Sequence, residues 1–412
     1  MKVVLPVEKD PPVKMLPGLA QPLSIICANV SDPEGFVINN YIQLYVDEYA
    51  GVDTPLFNSF SKKTVNTFFL PDNLISKMFD VETISLLNGD ALSVIKSEIL
   101  KGSYIFSTLN EYFVPNTCFY QKVNMFHPEL IYGFDDESEE LFAFVYDENP
   151  KYTPISIKYS DFYVAYENTA FPMNFFTAYM LKKQFKFEFD LSLCKKLLYD
   201  YISSKNSFQA KSYDNTIYGI KVYDYLFKVI EELPNTTIDP RDFATLYEHK
   251  NIIYKLINRL DLKSLAKEYE KVLMLSIGVR TRAYQCYKFG DNAKICNEML
   301  QILIKMRTLE EEILPKVYTA IINEKNDIDK MVKEDNTHIS KRPYTKQSKV
   351  IDLINDTEIW TILEDYLPAS SIASQLPIIY GMKIENLLAM AQIFFGITKE
   401  QSKEIYEKIL TL

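Results

Sequence analysis

The pattern of apolar and polar positions changes partway along the chain. Between residues 1 and 160, short runs rich in Ile, Val, Phe and Tyr alternate with Gly, Asn, Asp and Pro, which is typical of strands separated by turns. The clearest runs are residues 102–110, 128–136, 140–149 and 153–160. The polar stretch from Asp135 to Glu139 predicts a hairpin turn between the second and the third of them.

Residues 31–49 of the same region have apolar positions at helical spacing instead. Ser31 or Asp32 can cap this helix, and Pro33 suits its first turn. The apolar positions continue the predicted helix through Ile42–Val46. A helix followed by a meandering sheet is an α+β pattern.

From about residue 161 onward the pattern predicts helices. One of them should begin after a cap at Asp190, and another after Asp239–Pro240, a cap followed by a proline at the first helical position. Two long helices are predicted farther on, over 262–289 and from 291 to about 325, with Gly290 between them. Pro315 should kink or end the second one, because proline interrupts the helical hydrogen bonds.

A chain of 412 residues is longer than one average core can support, so several domains are expected. The patterns predict an α+β domain over residues 1–165 and a helical domain over residues 166–330. Residues 331–349 are charged and poor in apolar side chains, which indicates a surface loop or linker. Residues 350–412 are then predicted to form a small segment of three or four short helices.

Composition excludes several classes of protein. The net charge of −10 and the pI near 5.1 argue against a nucleic-acid binder, which usually has a basic face. No apolar run is long enough for a membrane helix, and the five scattered cysteines fit a reducing compartment. No cysteine spacing or glycine-rich loop indicates a metal or phosphate site. We therefore expect a cytoplasmic protein without cofactor, metal, nucleic-acid partner or membrane partner.

The N-terminal region contains the groups that nucleophilic acyl chemistry requires: a nucleophile, a base, a group that orients the base, and a donor for the oxyanion. Cys27 lies just before the helix predicted from residue 31, where the helix dipole favours thiolate, and Gln21 lies six residues earlier. His127 opens the strand 128–134, and Asp147 ends the next strand. If these strands form a hairpin, His127 and Asp147 are neighbours across it.

The order Gln-x5-Cys, then a histidine heading the strand "LIYGFDD", then an Asp ending the next strand resembles papain-like cysteine peptidases, above all the double-glycine leader peptidases. The segments "YGIKVYDYL" and "IDPRDFATLYEHKNIIYKLINRL" are similar to helical halves of proteins from nonribosomal-peptide and aminoglycoside clusters. The butirosin acyltransferase and the amide-forming cysteine protease homologue of closthioamide assembly have a comparable layout.

The resemblance implies a papain-like fold in the N-terminal half, followed by an α-helical half. It also implies a cysteine acyltransferase that takes an acyl group from a carrier-protein thioester and passes it to an amine. By this match Cys27 is the nucleophile, Gln21 an oxyanion donor, His127 the base and Asp147 its orienting group. The implied partners are an acyl or peptidyl carrier protein and an amine acceptor.

Alternatives stay open at several of these positions. Cys118 is a rival nucleophile nine residues before His127, and Asp135 or Asp136 can orient the base instead of Asp147. Cys27 also fits a buried apolar cysteine. At the level of function, the alternatives are a cysteine peptidase or hydrolase and a non-catalytic binding module with a degenerate site. If the protein is an enzyme, we expect its substrate channel between the two halves, lined by aromatic side chains of residues 163–180.

Overall fold

The structure is a computed structural model, and it describes residues 1–48, 63–67, 78–85, 90–149, 151–169, 175–207, 216–232, 238–290, 293–325, 343–345, 347–353, 356–364, 366, 379, 381–394 and 396–412. The strands are β1 (Lys2–Val4), β2 (Leu44–Glu48), β3 (Lys63–Thr67), β4 (Phe79–Ser85), β5 (Ser103–Asn110), β6 (Phe126–Asp135), β7 (Glu140–Tyr146), β8 (Tyr152–Lys158), β9 (Phe175–Leu181) and β10 (Ile217–Tyr218). The helices are α1 (Pro17–Asn29), α2 (Pro33–Asn40), α3 (Ala91–Lys101), α4 (Tyr159–Glu167), α5 (Leu191–Ser203), α6 (Val222–Glu231), α7 (Pro240–Arg259), α8 (Lys263–Phe289), α9 (Ala293–Lys325), α10 (Val350–Leu353), α11 (Thr357–Glu364), α12 (Ile384–Phe394) and α13 (Lys399–Leu410).

The N-terminal half is built on an antiparallel sheet with the strand order β4-β9-β5-β6-β7-β8, in which β1 pairs with the far end of β6. The four strands predicted between residues 102 and 160 are confirmed as β5 to β8. The hairpin at Asp135–Glu139 is also confirmed, because Asp135 pairs with Glu140 where β6 meets β7. Gly133 pairs with Val4 of β1, and an added Cβ at this glycine would lie 2.6 Å from the Val3 carbonyl oxygen.

Two predictions of helix are wrong in this half. The helix that begins at Pro33 is capped by Asp32 as expected, but it ends at Asn40. Leu44–Glu48 form β2, which pairs with β3 and β10 in a second, three-stranded sheet. Farther on, Phe175–Leu181 form a strand between β4 and β5 rather than a helix. Both segments are short apolar runs, and their strand partners are distant in sequence, so local spacing cannot identify them.

The helical half follows its predicted capping signals. Asp190 accepts hydrogen bonds from Ser192 and Leu193 at the start of α5, and Asp239 caps α7 with Pro240 at the first position. The break at Gly290 is confirmed, since α8 ends there with a left-handed φ of 83°. Pro315 does not end α9, which continues to Lys325.

The remaining segments are described in part. Of the predicted charged loop 331–349, residues 331–342 and 346 lie outside the described residues. The described part of residues 350–412 contains the four short helices α10 to α13. The division into domains stays a prediction, although the sheet itself extends past residue 165 through β9.

Two apolar cores lie on the two sides of the large sheet. The smaller core is enclosed by α3 and α4, and the larger core connects the other side of the sheet with α1, α2 and the helical half. The molecule is therefore a mixed α+β protein. Among the described residues, no helix has the length and apolar character needed to cross a membrane.

The described aromatic side chains of residues 163–180 belong to these two cores. Tyr163, Tyr166 and Phe176 pack in the smaller core, whereas Phe175 and Tyr179 pack in the larger one. The structure therefore uses these rings for packing on both sides of the sheet. The sequence predicted that these rings line a channel between the halves, whereas in the structure they pack in two separate cores.

Candidate functional site

Cys27 lies in the last turn of α1, and the prediction that it precedes the first helix is wrong. Its side chain is buried, with 8% exposed, in the larger apolar core. Burial, and to a smaller degree the charge of Glu8, raises the pKa of the Cys27 thiol to about 12 against the opposing effect of Lys255. The C-terminal end of a helix carries negative partial charge, which also disfavours thiolate. Cys27 is thus a protonated thiol at neutral pH.

Gln21 is the α1 side chain that reaches the strand of His127. It is buried, and its Nε2 donates a hydrogen bond to the backbone oxygen of Pro128. This bond joins α1 to β6 at the residue next to His127. Cys27 lies six residues farther along α1, roughly 9 Å along the helix axis. One of the two amide hydrogens of Gln21 is therefore already committed to the scaffold.

The carboxylate of Asp147 does not bind His127. It binds the turn that follows β7. Its carboxylate accepts hydrogen bonds from the backbone nitrogens of Asn149 and Lys151, at 2.8 and 3.0 Å, and from the Thr153 hydroxyl at 3.3 Å. No hydrogen bond joins Asp147 to His127 in the described structure. The ladder between β6 and β7 begins only at Leu130, and Asp147 pairs instead with Thr117, in the turn between β5 and β6.

The alternative orienting groups lie at the opposite end of β6. Asp135 forms an ion pair with Lys2 at 3.1 Å, and Asp136 binds Lys96. Each lies eight or more residues from His127, roughly 26 Å along an extended strand. Neither carboxylate can orient the imidazole.

The structure supplies a different carboxylate to His127. Glu111 follows β5 in a single 3-10 turn, and its backbone nitrogen donates to the Met125 oxygen at 2.8 Å, which fixes it beside the start of β6. Its side chain is fully buried, and its Oε1 lies 3.1 Å from Nδ1 of His127. The imidazole is 24% exposed and its ring packs edge-on against Phe119. His127 therefore has one nitrogen tied to a buried carboxylate.

Glu129 completes a buried cluster with Glu111 and His127. It lies two residues after His127 on β6, so both side chains extend from the same face of the strand. Burial raises the pKa of Glu129 well above its usual range, and the charge of Glu111 and a hydrogen bond with it raise it further. The neutral form of the Glu129 carboxyl group is therefore favoured beside Glu111, the carboxylate that binds His127.

Several oxygens of this cluster have no partner among the described residues. They are Oε2 of Glu111, Oε1 of Glu129 and the hydroxyl of Ser107, which is the cross-strand neighbour of Glu129. Buried polar atoms without partners are costly, so such a group in a native fold calls for an explanation. One ligand atom from each of Glu111, His127 and Glu129 lies within 4.8 Å of the others, a spacing that a single bound cation can bridge.

Cys118 is the cysteine associated with this cluster. It lies in the turn between β5 and β6 and is partly exposed. Burial raises the pKa of its thiol to about 12, with the charge of Glu111 as the next largest cause. The charge of a Cys118 thiolate in turn raises the pKa of Glu129. The rival nucleophile named from the sequence is thus electrostatically linked to the cluster, whereas Cys27 interacts with Glu8 and Lys255.

Sequence reasoning identified His127 and Cys118 but missed Glu111 and Glu129. The signal available for Glu129 was a glutamate in an otherwise apolar strand, at His-x-Glu spacing, where both side chains share a face. Glu111 had no comparable signal, because its contact with His127 depends on the pairing of β5 with β6. A comparison with protein-family models finds none that matches this chain, and a comparison with curated proteins finds no significant match.

Proposed function

We propose that His127 is a general acid–base group, oriented by Glu111, in a cysteine-dependent acyl-transfer reaction. The observation that carries this proposal is the 3.1 Å contact between His127 Nδ1 and the buried Glu111 carboxylate. A carboxylate at Nδ1 fixes the tautomer, so that Nε2 is the basic nitrogen, and it stabilises the imidazolium that forms during the reaction. The partial exposure of His127 lets a substrate approach this ring.

The proposed nucleophile is Cys118 rather than Cys27, because Cys118 lies in the electrostatic environment of Glu111 and Glu129. With a pKa of about 12, this thiol is protonated at neutral pH. The proton must therefore move to His127 Nε2 as the sulfur attacks the acyl carbon. The thiolate expelled from the acyl donor then takes that proton from the imidazolium. In the second half-reaction the incoming amine attacks the acyl-cysteine, Nε2 accepts the amine proton, and the released Cys118 thiolate is reprotonated by the imidazolium.

The donor and the acceptor follow from the resemblance stated above. The acyl donor is then a carrier-protein thioester and the acceptor an amine, in nonribosomal-peptide-type biosynthesis, with no further cofactor. The helix α1 in front of an antiparallel sheet is compatible with a papain-like fold. The Gln21 amide keeps one hydrogen for an oxyanion. The free state of all five cysteines supports a cytoplasmic location. The same machinery with water as acceptor gives a hydrolase.

The test is product formation from a small acyl thioester and an amine, followed by mass spectrometry. His127→Ala should lower kcat/KM by about 10² or more, because both proton transfers use the imidazole. Cys118→Ala should abolish the acyl-enzyme and the product. Cys296→Ala, another buried cysteine far along the chain, is the matched control and should leave the rate near that of the unmodified protein.

The cysteine variants decide between the nucleophiles. Loss of product in Cys27→Ala with full activity in Cys118→Ala would return the nucleophile to Cys27. Full activity in both variants would remove cysteine catalysis altogether. Absence of any acyl or iodoacetamide adduct on either cysteine, in a protein that still binds an acyl thioester, would favour the non-catalytic binding module.

A second candidate function is metal-assisted hydrolysis at the same cluster. It is favoured by the two buried carboxylate oxygens without partners and by the spacing of Glu111, His127 and Glu129 within 4.8 Å. Two carboxylates and one imidazole form a donor set suited to Zn²⁺ or Mn²⁺, and three protein ligands leave a position for water or substrate. A bound divalent ion would supply Lewis-acid activation of water there. Glu111, His127 and Glu129 would hold this ion, and Glu129 would bind it as a carboxylate.

The two candidates make different predictions for metal binding. Calorimetric titration of EDTA-treated protein with Zn²⁺ or Mn²⁺ should show one site if the cluster is a metal centre. Glu129→Gln should then weaken binding by at least about 10-fold, and affinity should fall at low pH because protons compete for the same ligands. If acyl transfer survives EDTA and calorimetry detects no metal site, the metal mechanism is refuted and the cysteine mechanism remains.

A further inference from the structure

The helices α8 and α9 form an antiparallel pair with a groove between them. Two ion pairs define the alignment: Arg282 with Glu298 at 2.9 Å near one end, and Glu268 with Lys316 at 3.8 Å near the other. The groove has a volume of about 600 Å³. It is independent of the cluster around His127.

The floor of this groove is apolar and open to solvent. Met274 is 60% exposed, although it is a large apolar side chain in the middle of a helix, and Leu275 and Ile302 lie beside it. Gly278 lies one turn after Met274 on the same face of α8. A Cβ added at Gly278 would lie 3.8 Å from Ile302, so the glycine leaves a depression in the floor.

The rim of the groove is basic. Lys267, Lys271, Lys305 and Arg282 line it against a single acid, Glu270. Arg282 is already paired with Glu298, but no ion pair to the three lysines occurs among the described residues. The chain as a whole carries a net charge of −10. The cluster of unpaired lysines around these apolar side chains is therefore positively charged, opposite in sign to the net charge of the molecule.

We propose that this groove binds an acidic amphipathic helix of a partner protein. A groove between two parallel ridges accepts a third helix, whose apolar residues at positions i, i+3, i+4 and i+7 would cover Met274, Leu275 and Ile302. Aspartate and glutamate residues flanking that apolar stripe would pair with Lys267, Lys271 and Lys305. Because opposite charges lie on both sides of the apolar strip, binding depends on the sign of the partner's charge as well as on burial.

The test uses fluorescence anisotropy with the full-length protein. The probe is a labelled helical peptide of about five turns, with leucines on one face and glutamates on both flanks, and the comparison peptide has lysines in place of the glutamates. The glutamate peptide should bind, and its affinity should fall as salt is added, because salt screens exposed charge pairs. The lysine peptide should bind at least 10-fold more weakly.

Two charge-reversal variants localise the binding. Reversal of Lys267, Lys271 and Lys305 to Glu should lower the affinity for the glutamate peptide at least 10-fold. The matched control reverses Lys183, Lys186 and Lys399, which are exposed elsewhere, and so changes the net charge equally. The control should retain binding within about 2-fold. Unchanged far-UV circular dichroism should accompany both variants, because all six side chains lie at the surface.

Three results would overturn the proposal. Equal loss in both triple variants would mean that overall charge, not the groove, controls binding. Unchanged binding in the groove variant would place the peptide elsewhere. Binding to anionic phospholipid vesicles that depends on the groove lysines, without binding of the glutamate peptide, would make this face a membrane surface rather than a protein-docking site.

Discussion

A fully buried ion pair in the helical half gives the sharpest test of the packing. Lys250 on α7 and Glu310 on α9 are both inaccessible to solvent, and Lys250 Nζ lies 2.8 Å from Glu310 Oε2. Tyr201 and Tyr223 donate to the same oxygen at 2.9 and 2.8 Å, and Tyr269 donates to the other oxygen. Burial lowers the pKa of Lys250, and the carboxylate of Glu310 opposes that shift.

Substitution Lys250→Met removes the positive charge and leaves the Glu310 carboxylate buried with tyrosine donors alone. Removal of one partner of a buried pair typically costs about 3–5 kcal/mol, because the remaining charge has lost its counter-ion in a medium of low dielectric. Lys250→Met/Glu310→Gln removes both charges but keeps an acceptor for the tyrosines. The double variant should therefore be destabilised by at least about 2 kcal/mol less than the sum of the two single variants.

The free energy of unfolding is obtained from urea denaturation at neutral pH, followed by far-UV circular dichroism, with the denaturant slope checked for each variant. Lys316→Met is the matched control, because Lys316 pairs with Glu268 at 3.8 Å and the two side chains are 58% and 42% exposed. Loss of such a surface pair should cost less than about 1 kcal/mol. A change below about 1 kcal/mol for Lys250→Met, or strict additivity in the double variant, would refute the role assigned to this pair.

Three further predictions concern burial, backbone and thiol reactivity. Burial raises the pKa of Glu248 from 4.5 to about 8, so the stabilising effect of the protonated carboxyl group is present below pH 4.5 and is lost as pH rises through 8. The free energy of unfolding of the unmodified protein should therefore fall by several kcal/mol between these pH values. The decrease should be much smaller in Glu248→Gln. Gly219→Ala should lower the melting temperature clearly more than Gly290→Ala: both have positive φ, but a Cβ at Gly219 would lie 2.2 Å from a backbone oxygen, whereas one at Gly290 meets nothing within 4 Å. At pH 8, iodoacetamide should alkylate Cys118 faster than Cys27 in peptide mapping, because both thiols have a pKa of about 12 and exposure decides the rate; equal rates would contradict the burial of Cys27.

The sequence determined the features that depend on neighbouring residues. Asp32, Asp190 and Asp239 each accept hydrogen bonds from the first turn of the helix that they precede, as their positions predicted. The strands β5 to β8 and the turn after Asp135 also follow from runs of a few residues. These signals are local, because a cap or a tight turn is formed within four residues along the chain.

The tertiary structure decided which strands and which side chains meet. A central strand has two edges, and the sequence showed only the hairpin partner of β6, which is β7. The first residues of β6 pair with β5, and this second edge brings Glu111 to His127 in place of Asp147. Nothing in the spacing of residues 111 and 127 predicts that contact, since it depends on strand register across a long connection.

The position of Cys27 has the same physical origin. Its neighbours in the sequence allow either a helix N-terminus or a helix interior, and the choice depends on what covers the helix. The helix α1 begins at Pro17, a local signal for a first helical turn, and its packing against β6 through Gln21 and within the larger core buries the thiol in its last turn. Local patterns thus fixed the caps, turns and several strands, whereas the environment of each candidate group was set by long-range burial and strand pairing, which no local window of the chain contains.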